Sequence, residues 1–497
     1  MTKKISFTYF FGFMIFIVLL LSVALGIIEF SSTMKTINGL TGTITSEIVV
    51  VKNLLSYDNI GSYLGGFTNA FASKSILVPV IISMIGIGVL INSGLLRVLC
   101  HFVNHHLKRK TVIFLISLIS IITAVHTDFG YLIIMPIAAY YFHITGRNPF
   151  IGIFVSFASL AIGSGLNIFV NSTDLILMEY TKYNATTISP NFDFSVYYNI
   201  FFSLVFIIIS TFAVTKFTEK IIVKRFPNIK ETPVLKLSNN EIVGLLMVSM
   251  VNIVTVLIFT MGIFPKTNFT GFLISNNDTN YFQNLLGYNS IFNTSFIFLI
   301  SFSFILSSIV FLYGSKTYKN HKNILIDSLN EIGKLLILIF MSYLLIYTLS
   351  ESKIGEVISL KLIGIFEGTT LTSYPLIILF IVIVAIINIL IPYNASKWVF
   401  ISPIIVPLFM SSNINPEFTL LLFKIGSSIT NAITPFLPFF VIYLYLLDKY
   451  KTEEISVKDG IKYMYPYTLL YTTIFIIFVL AWYMIGLPIG LNVFPSL

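Results

Sequence analysis

Charge is scarce in this chain. Of its 497 residues only 10% are Asp, Glu, Lys or Arg, against about 25% in a soluble domain. Cysteine occurs once, at Cys100, which excludes an intramolecular disulfide and any cysteine-based metal site. No grouping of His, Cys, Asp and Glu has the spacing of a metal site. There is no Walker loop, so ATP is not the energy source, and no nucleophile–base pair stands out. No polar stretch reaches domain size, which excludes a soluble enzyme. The formal net charge of +9 raises nucleic acid as a partner, but in a chain this apolar the excess of Lys and Arg sets membrane topology. No nucleic-acid partner is expected.

What the chain has in abundance is hydrocarbon. It is 56% hydrophobic, with a mean hydropathy of +0.92. The runs Tyr9–Ile28, Ile76–Leu96 and Pro375–Ile391 are each long enough to cross a bilayer. The expected fold is an all-α polytopic membrane protein, one transmembrane domain over residues 1–497. The first run lacks a small-x-small cleavage site and reads as a retained helix. Helices are expected near 7–30, 75–99, 148–170, 193–215, 241–263, 291–313, 335–350, 417–447 and 463–486. Two further apolar segments, Thr111–Gly146 and Pro375–Ser412, are broken at their centres by HTDFG (His126–Gly130) and PYNASKW (Pro392–Trp398). Each half is short for a crossing, so each segment reads as a re-entrant hairpin. Non-helical backbone at membrane depth is tolerated only inside protein or beside a water-filled cavity.

With the N-terminus in the cytoplasm, nine spans and two hairpins put 21 Lys/Arg in inner loops and 7 in outer ones, leaving Lys397 and Lys424 at membrane depth. That bias follows the positive-inside rule and places the protein in a cell membrane, with a bacterial origin suspected. The Asn-x-Ser/Thr matches at Asn268 and Asn277 are then chance.

The broken segments resemble each other. Met135-Pro136 precedes Asn148-Pro149 by thirteen residues, and Ser402-Pro403 precedes Asn415-Pro416 by the same interval. A helix with Ile-Gly-Ser follows each, at Ile162–Ser164 and Ile425–Ser427, and then an asparagine, Asn167 or Asn431. Residues 111–170 and 375–447 therefore read as two hairpin-plus-broken-helix repeats. With opposite opening sides they form an inverted repeat, the architecture of many secondary transporters.

The breaks carry the polar residues. "KIGSSITNAITPFLP" (Lys424–Pro438) sets Lys424, Gly426, Ser427, Ser428, Asn431, Thr434, Pro435 and Pro438 between two apolar flanks. Proline removes a backbone donor, and the freed carbonyls, with Ser, Thr and Asn side chains, can coordinate a cation such as sodium. The first repeat offers Asn167, Asn171 and Asp174 in "IGSGLNIFVNSTD". The competing reading is that the small residues only let helices pack closely. Ionisable residues at membrane depth are functional candidates: Asp128, Asp174, Lys397 and Lys424. His126 reads as a satisfied polar residue rather than a proton carrier. Asp128 and Lys397 sit at the hairpin tips, where snorkelling is the alternative. Trp398 fits two roles, stacking on an aromatic substrate or anchoring at the interface.

These residues resemble the AbgT family, the p-aminobenzoyl-glutamate transporters, along almost the whole chain. The matching stretches are VVVKNLLS (Val49–Ser56), GRNP (Gly146–Pro149), SKW (Ser396–Trp398), TNAITPFLPF (Thr430–Phe439) and AWYMIGLPIG (Ala481–Gly490), with Asp128, Gly130, Tyr131 and Pro136 also fitting. The resemblance implies nine transmembrane helices, two hairpins and a homodimer. It implies uptake of p-aminobenzoyl-glutamate, or export of p-aminobenzoate and sulfonamides, driven by sodium or protons. It implies a site at Asp174, Asn394, Trp398, Lys424–Ser428 and Pro435. Family members usually read Arg-Ile-Gly-Asp-Ser where this chain has Lys424-Ile-Gly-Ser427-Ser428, so Lys424 needs another countercharge. The sequence leaves two: Asp174 or a carboxylate of the substrate.

Overall fold

The structure is a computed structural model that describes residues 6–37, 44–74, 76–123, 127–229, 237–267, 269–274, 281–286, 295–317, 324–329, 332–451 and 453–497. His126, Asn268 and Asn277 lie outside the described residues. The chain opens with α1 (Phe7–Ile27) and a two-stranded antiparallel sheet, β1 (Ser31–Ile37) and β2 (Ile44–Val50). The sheet is an addition to the helical reading. Its β-branched residues, among them Thr33, Thr45, Ile48 and Val49, favour extended backbone. Next come α2 (Tyr57–Lys74), over residues read as loop, α3 (Leu77–Asn92), α4 (Leu95–His106) and α5 (Arg109–Thr123). The helix expected over 75–99 ends early, because Gly94 takes a left-handed turn at φ 80°.

Helix α6 covers residues 127–144 with a π-helical turn at Gly130–Ile134, so Thr127–Gly130 of the expected HTDFG interruption are helical. It is followed by α7 (Pro149–Ala161), α8 (Ser172–Thr186), α9 (Ile200–Phe217), α10 (Asn239–Ile263), α11 (Tyr281–Leu286), α12 (Phe296–Gly314), α13 (Ile324–Leu329) and α14 (Ile332–Ser352). The last part holds α15 (Ile354–Ile363), α16 (Ser373–Leu390), α17 (Asn394–Ser411), α18 (Pro416–Ile429), α19 (Phe440–Lys449) and α20 (Val457–Ile485).

Among the described residues, 8 helices are long and apolar enough to cross a membrane. The segments expected over 148–170 and 417–447 are not among them: in the first the helix stops at Ala161, and the second divides into helices ending at Ile429 and starting at Phe440. The 18-residue α16 is among them, spanning about 27 Å at 1.5 Å per residue. That half of the second broken segment is therefore not too short to cross.

The repeated Asn-Pro pairs have one local cause. Asn148 Oδ1 accepts the Phe150 N–H at 3.0 Å and Asn415 Oδ1 accepts the Glu417 N–H at 2.9 Å. Each asparagine caps a helix whose first residue is a proline that has no N–H to satisfy.

The chain forms two compact units: residues 76–156 with 215–336, and residues 1–75 with 157–214 and 337–497. In the former, glycines bring helices close. A Cβ on Gly86 would lie 2.8 Å from Ser301 of α12, and one on Gly244 of α10 would lie 2.9 Å from Phe311. Close backbone approach of this kind drives helix association in lipid, where no hydrophobic effect acts between helices. Met250, Ile253 and Val256 of α10 remain exposed, as a lipid-facing surface requires. In the other unit, α16 packs on α18 and α17 packs on α8. Tyr63 of α2 is tied to Thr348 of α14 at 2.8 Å.

Candidate functional site

The unit containing residues 157–214 and 337–497 brings two broken helices together. Between α7 and α8, Gly163–Gly165 forms a single 3₁₀ turn and the backbone then leaves helical geometry until Ser172. The restart at α8 is a reciprocal cap. Asn171 Oδ1 accepts the Asp174 N–H at 2.8 Å, and Asp174 Oδ2 accepts the Asn171 N–H at 3.2 Å. A carboxylate in the first turn also suits the positive end of the helix.

The other carboxylate oxygen, Asp174 Oδ1, accepts from Lys424 Nζ of α18 at 2.7 Å, and both side chains are 7% exposed. The buried Tyr198 stands close enough to act on both charges. Of the two countercharges open to Lys424, the protein supplies Asp174. Breaking such a buried pair by removing one partner costs about 3–5 kcal/mol.

Between α18 and α19, residues 430–439 are turns rather than helix. Their side chains are tied to α16: Thr430 Oγ1 donates to Ala385 O at 2.9 Å and Thr434 Oγ1 to Ile389 O at 2.7 Å. Asn388 of α16 is the hub. Its Nδ2 donates to Thr430 Oγ1 at 3.1 Å and to Asn431 Oδ1 at 2.8 Å. Asn431 Nδ2 in turn donates to the Ala161 carbonyl at 3.0 Å. That carbonyl ends α7, where no intrahelical partner remains. One break thus caps the helix that leads into the other.

The remaining candidates sort by what they touch. Gly426 faces the α16 backbone: an added Cβ would lie 2.9 Å from Ile381 O. Ser428 Oγ bonds its own helix at Ile425 O, 2.9 Å away, and its side chain fills the space that a Cβ on Gly165 would take. For these glycines the packing reading accounts for what is seen. Ser427 Oγ is buried with no hydrogen-bond partner. Asn394, in the first turn of α17, also has a buried Oδ1 without a partner. Asn167 lies in the first break, where its Oδ1 accepts the Phe169 N–H at 3.1 Å. Pro435 is buried within the second break, and Pro438 is half-buried there. Trp398 is fully buried, donates from Nε1 to Thr181 Oγ1 at 2.9 Å, and packs on Phe423 with centroids 4.4 Å apart and ring planes tilted by 37°. An interfacial anchor would be exposed, so that alternative is set aside. Lys397 is fully buried and does not snorkel; it donates to Asn388 Oδ1. Asp128 belongs to the other compact unit.

Sequence reasoning passed over Asn388, Thr181 and Tyr198. Asn388 had a signal, as the only polar side chain between Pro375 and Ile391, and a polar residue inside a span is a candidate by default. Thr181 and Tyr198 had none that set them apart.

Solved structures share this fold. The Alcanivorax borkumensis YdaH transporter superposes with a TM-score of 0.50 at 22% identity, covering 98% of this chain and 100% of that one. Neisseria gonorrhoeae MtrF, described as illuminating a class of antimetabolite efflux pumps, gives 0.50 at 24% identity, covering 99% of this chain and 98% of that one. The Escherichia coli p-aminobenzoyl-glutamate transport protein is 24% identical over 457 residues, 90% of this chain and 88% of that protein. The AbgT transporter family is matched by residues 6–496. Nearly the whole chain takes part in that match, and the chain belongs to the AbgT family.

Proposed function

We propose that this chain carries p-aminobenzoyl-glutamate, or a related aromatic amide or carboxylate, across a bacterial cell membrane as a secondary transporter. The observation that carries the reading is the joining of two broken helices in one unit, through Asp174–Lys424 at 2.7 Å and Asn431 to Ala161 at 3.0 Å. Breaks that hold each other by few polar contacts can exchange those contacts as a transporter alternates. The substrate comes from the name of the Escherichia coli relative. Export of antifolate sulfonamides or p-aminobenzoate is the second reading, favoured by the description of MtrF as an efflux pump.

Sodium or protons are the proposed coupling ions. The donors at the second break are neutral hydroxyl, amide and carbonyl oxygens, the hard donors that suit an alkali cation. Ser427 Oγ, in the last turn of α18 just before that break, is a buried hydroxyl without a partner. The topology proposed is an N-terminus inside, two re-entrant segments in inverted repeats over 111–170 and 375–447, and a homodimer surrounded by lipid. Counterflow of labelled p-aminobenzoyl-glutamate in proteoliposomes, with sodium and pH gradients varied separately, tests the reading. Saturable exchange accelerated by one gradient is expected. Exchange of sulfonamide without exchange of the conjugate moves the conclusion to the exporter, and neither exchange refutes both.

A further inference from the structure

Lys397 is fully buried in α17, and its ammonium has a single hydrogen-bond partner, the neutral Asn388 Oδ1. Among the described residues it meets no carboxylate. The ammonium also lies over the face of Phe423, with Nζ 5.6 Å from the ring centroid. That ring packs, tilted by 37°, on Trp398 with centroids 4.4 Å apart. An aromatic face attracts a cation weakly, and one amide oxygen does not replace a countercharge. Lys424, the other lysine at membrane depth, is already matched by Asp174.

An amide oxygen has the shape of a carboxylate oxygen without its charge. We infer that Lys397 is the anchor for a carboxylate of the transported ligand, with the ligand's aromatic ring against the Trp398–Phe423 pair. The ligand oxygen takes the place that Asn388 Oδ1 now holds. Asn388 also grips Thr430 and Asn431, so its displacement is felt at the second break. The ammonium is covered in this conformation, and the ligand reaches it as α16 and α17 part. The inference rests on the transport reading above and adds the charge and orientation of the ligand.

Equilibrium binding to purified full-length protein tests it, with acid–amide pairs as probes: benzoate against benzamide, and p-aminobenzoate against p-aminobenzamide. The wild-type chain is expected to favour each acid. Lys397→Met should lose about 30-fold or more on the acids, the loss typical of an unpaired buried charge contact, and less than about 3-fold on the amides. Lys397→Arg should keep the acid preference. Asn388→Asp places a built-in countercharge on the lysine and should weaken acid binding while the lysine remains. If Lys397→Met does not fold, Asn388→Asp decides alone. Equal losses for acid and amide, undiminished acid binding in Asn388→Asp, or no acid preference in the wild type overturns the inference. Acid-selective binding without counterflow of the glutamate conjugate leaves the lysine assignment standing and removes only the substrate.

Discussion

Two lysines are buried within one unit, and they are held in opposite ways. Lys424 meets a carboxylate that is itself fixed by a helix cap, so its charge is neutralised by a rigid partner. Lys397 is the more deeply covered of the two and meets only an amide and a ring. A buried charge is tolerated when paired and costly when alone. The difference separates a charge that builds the structure from one left for a ligand. Two like residues on adjacent helices thus have different work, and only their partners tell them apart.

Lys424→Met should destabilise the protein by about 3–5 kcal/mol, because Asp174 is left buried and unpaired, whereas Lys397→Met should change stability by about 1 kcal/mol or less. Unfolding midpoints in detergent measure both; a larger loss from Lys397→Met would reverse the two roles. Next is the hub. Asn388→Ala removes the acceptor for Lys397 and the donors to Thr430 and Asn431, and should cost about 2–3 kcal/mol. A loss of about 0.5 kcal/mol or less would mean that the network is incidental.

Trp398→Phe keeps a ring on Phe423 but deletes the Nε1 bond to Thr181. Thr181 Oγ1 donates elsewhere, to Leu177 O at 2.7 Å, so the loss should stay near about 1 kcal/mol. Transport with unchanged affinity in this variant would argue that the ring, not the indole N–H, meets the ligand. The smallest effect is expected at Ser427. Its hydroxyl has no partner to lose, so Ser427→Ala should leave stability within about 0.5 kcal/mol or raise it slightly. A marked loss of ion-stimulated exchange in this otherwise stable variant would place the coupling ion there.

Much of the architecture was legible because its causes are local. Apolar runs mark spans, and the breaks announce themselves through Pro435 and Pro392, whereas Gly426 was expected to weaken a helix that runs on to Ile429. The two Asn-Pro pairs recur because each starts a helix in the same way, with the asparagine as cap and the proline as first residue. The β1–β2 hairpin escaped because short Thr- and Ser-rich strands beside a membrane helix look like loop. The α2 helix escaped for a related reason, since Gly61, Gly65 and Gly66 weaken helical propensity and packing has to override it. The site was only partly legible. Asp174 and Lys424 were both visible, but 250 positions of sequence separate them, and no local pattern reports which carboxylate a distant lysine meets. Gly426 could be read from sequence as a binding or a packing residue, and only the structure shows how closely the α16 backbone approaches it.

Lys424 and Asp174 form one structural unit joining the two breaks. A double-mutant cycle measures it. Asp174→Asn, Lys424→Met and the double variant are compared by unfolding in the same detergent. The pair predicts that the double variant is more stable than either single one, with a coupling of about 3 kcal/mol or more. Single losses that add to within about 0.5 kcal/mol would contradict it, and with it the separation of the two lysines.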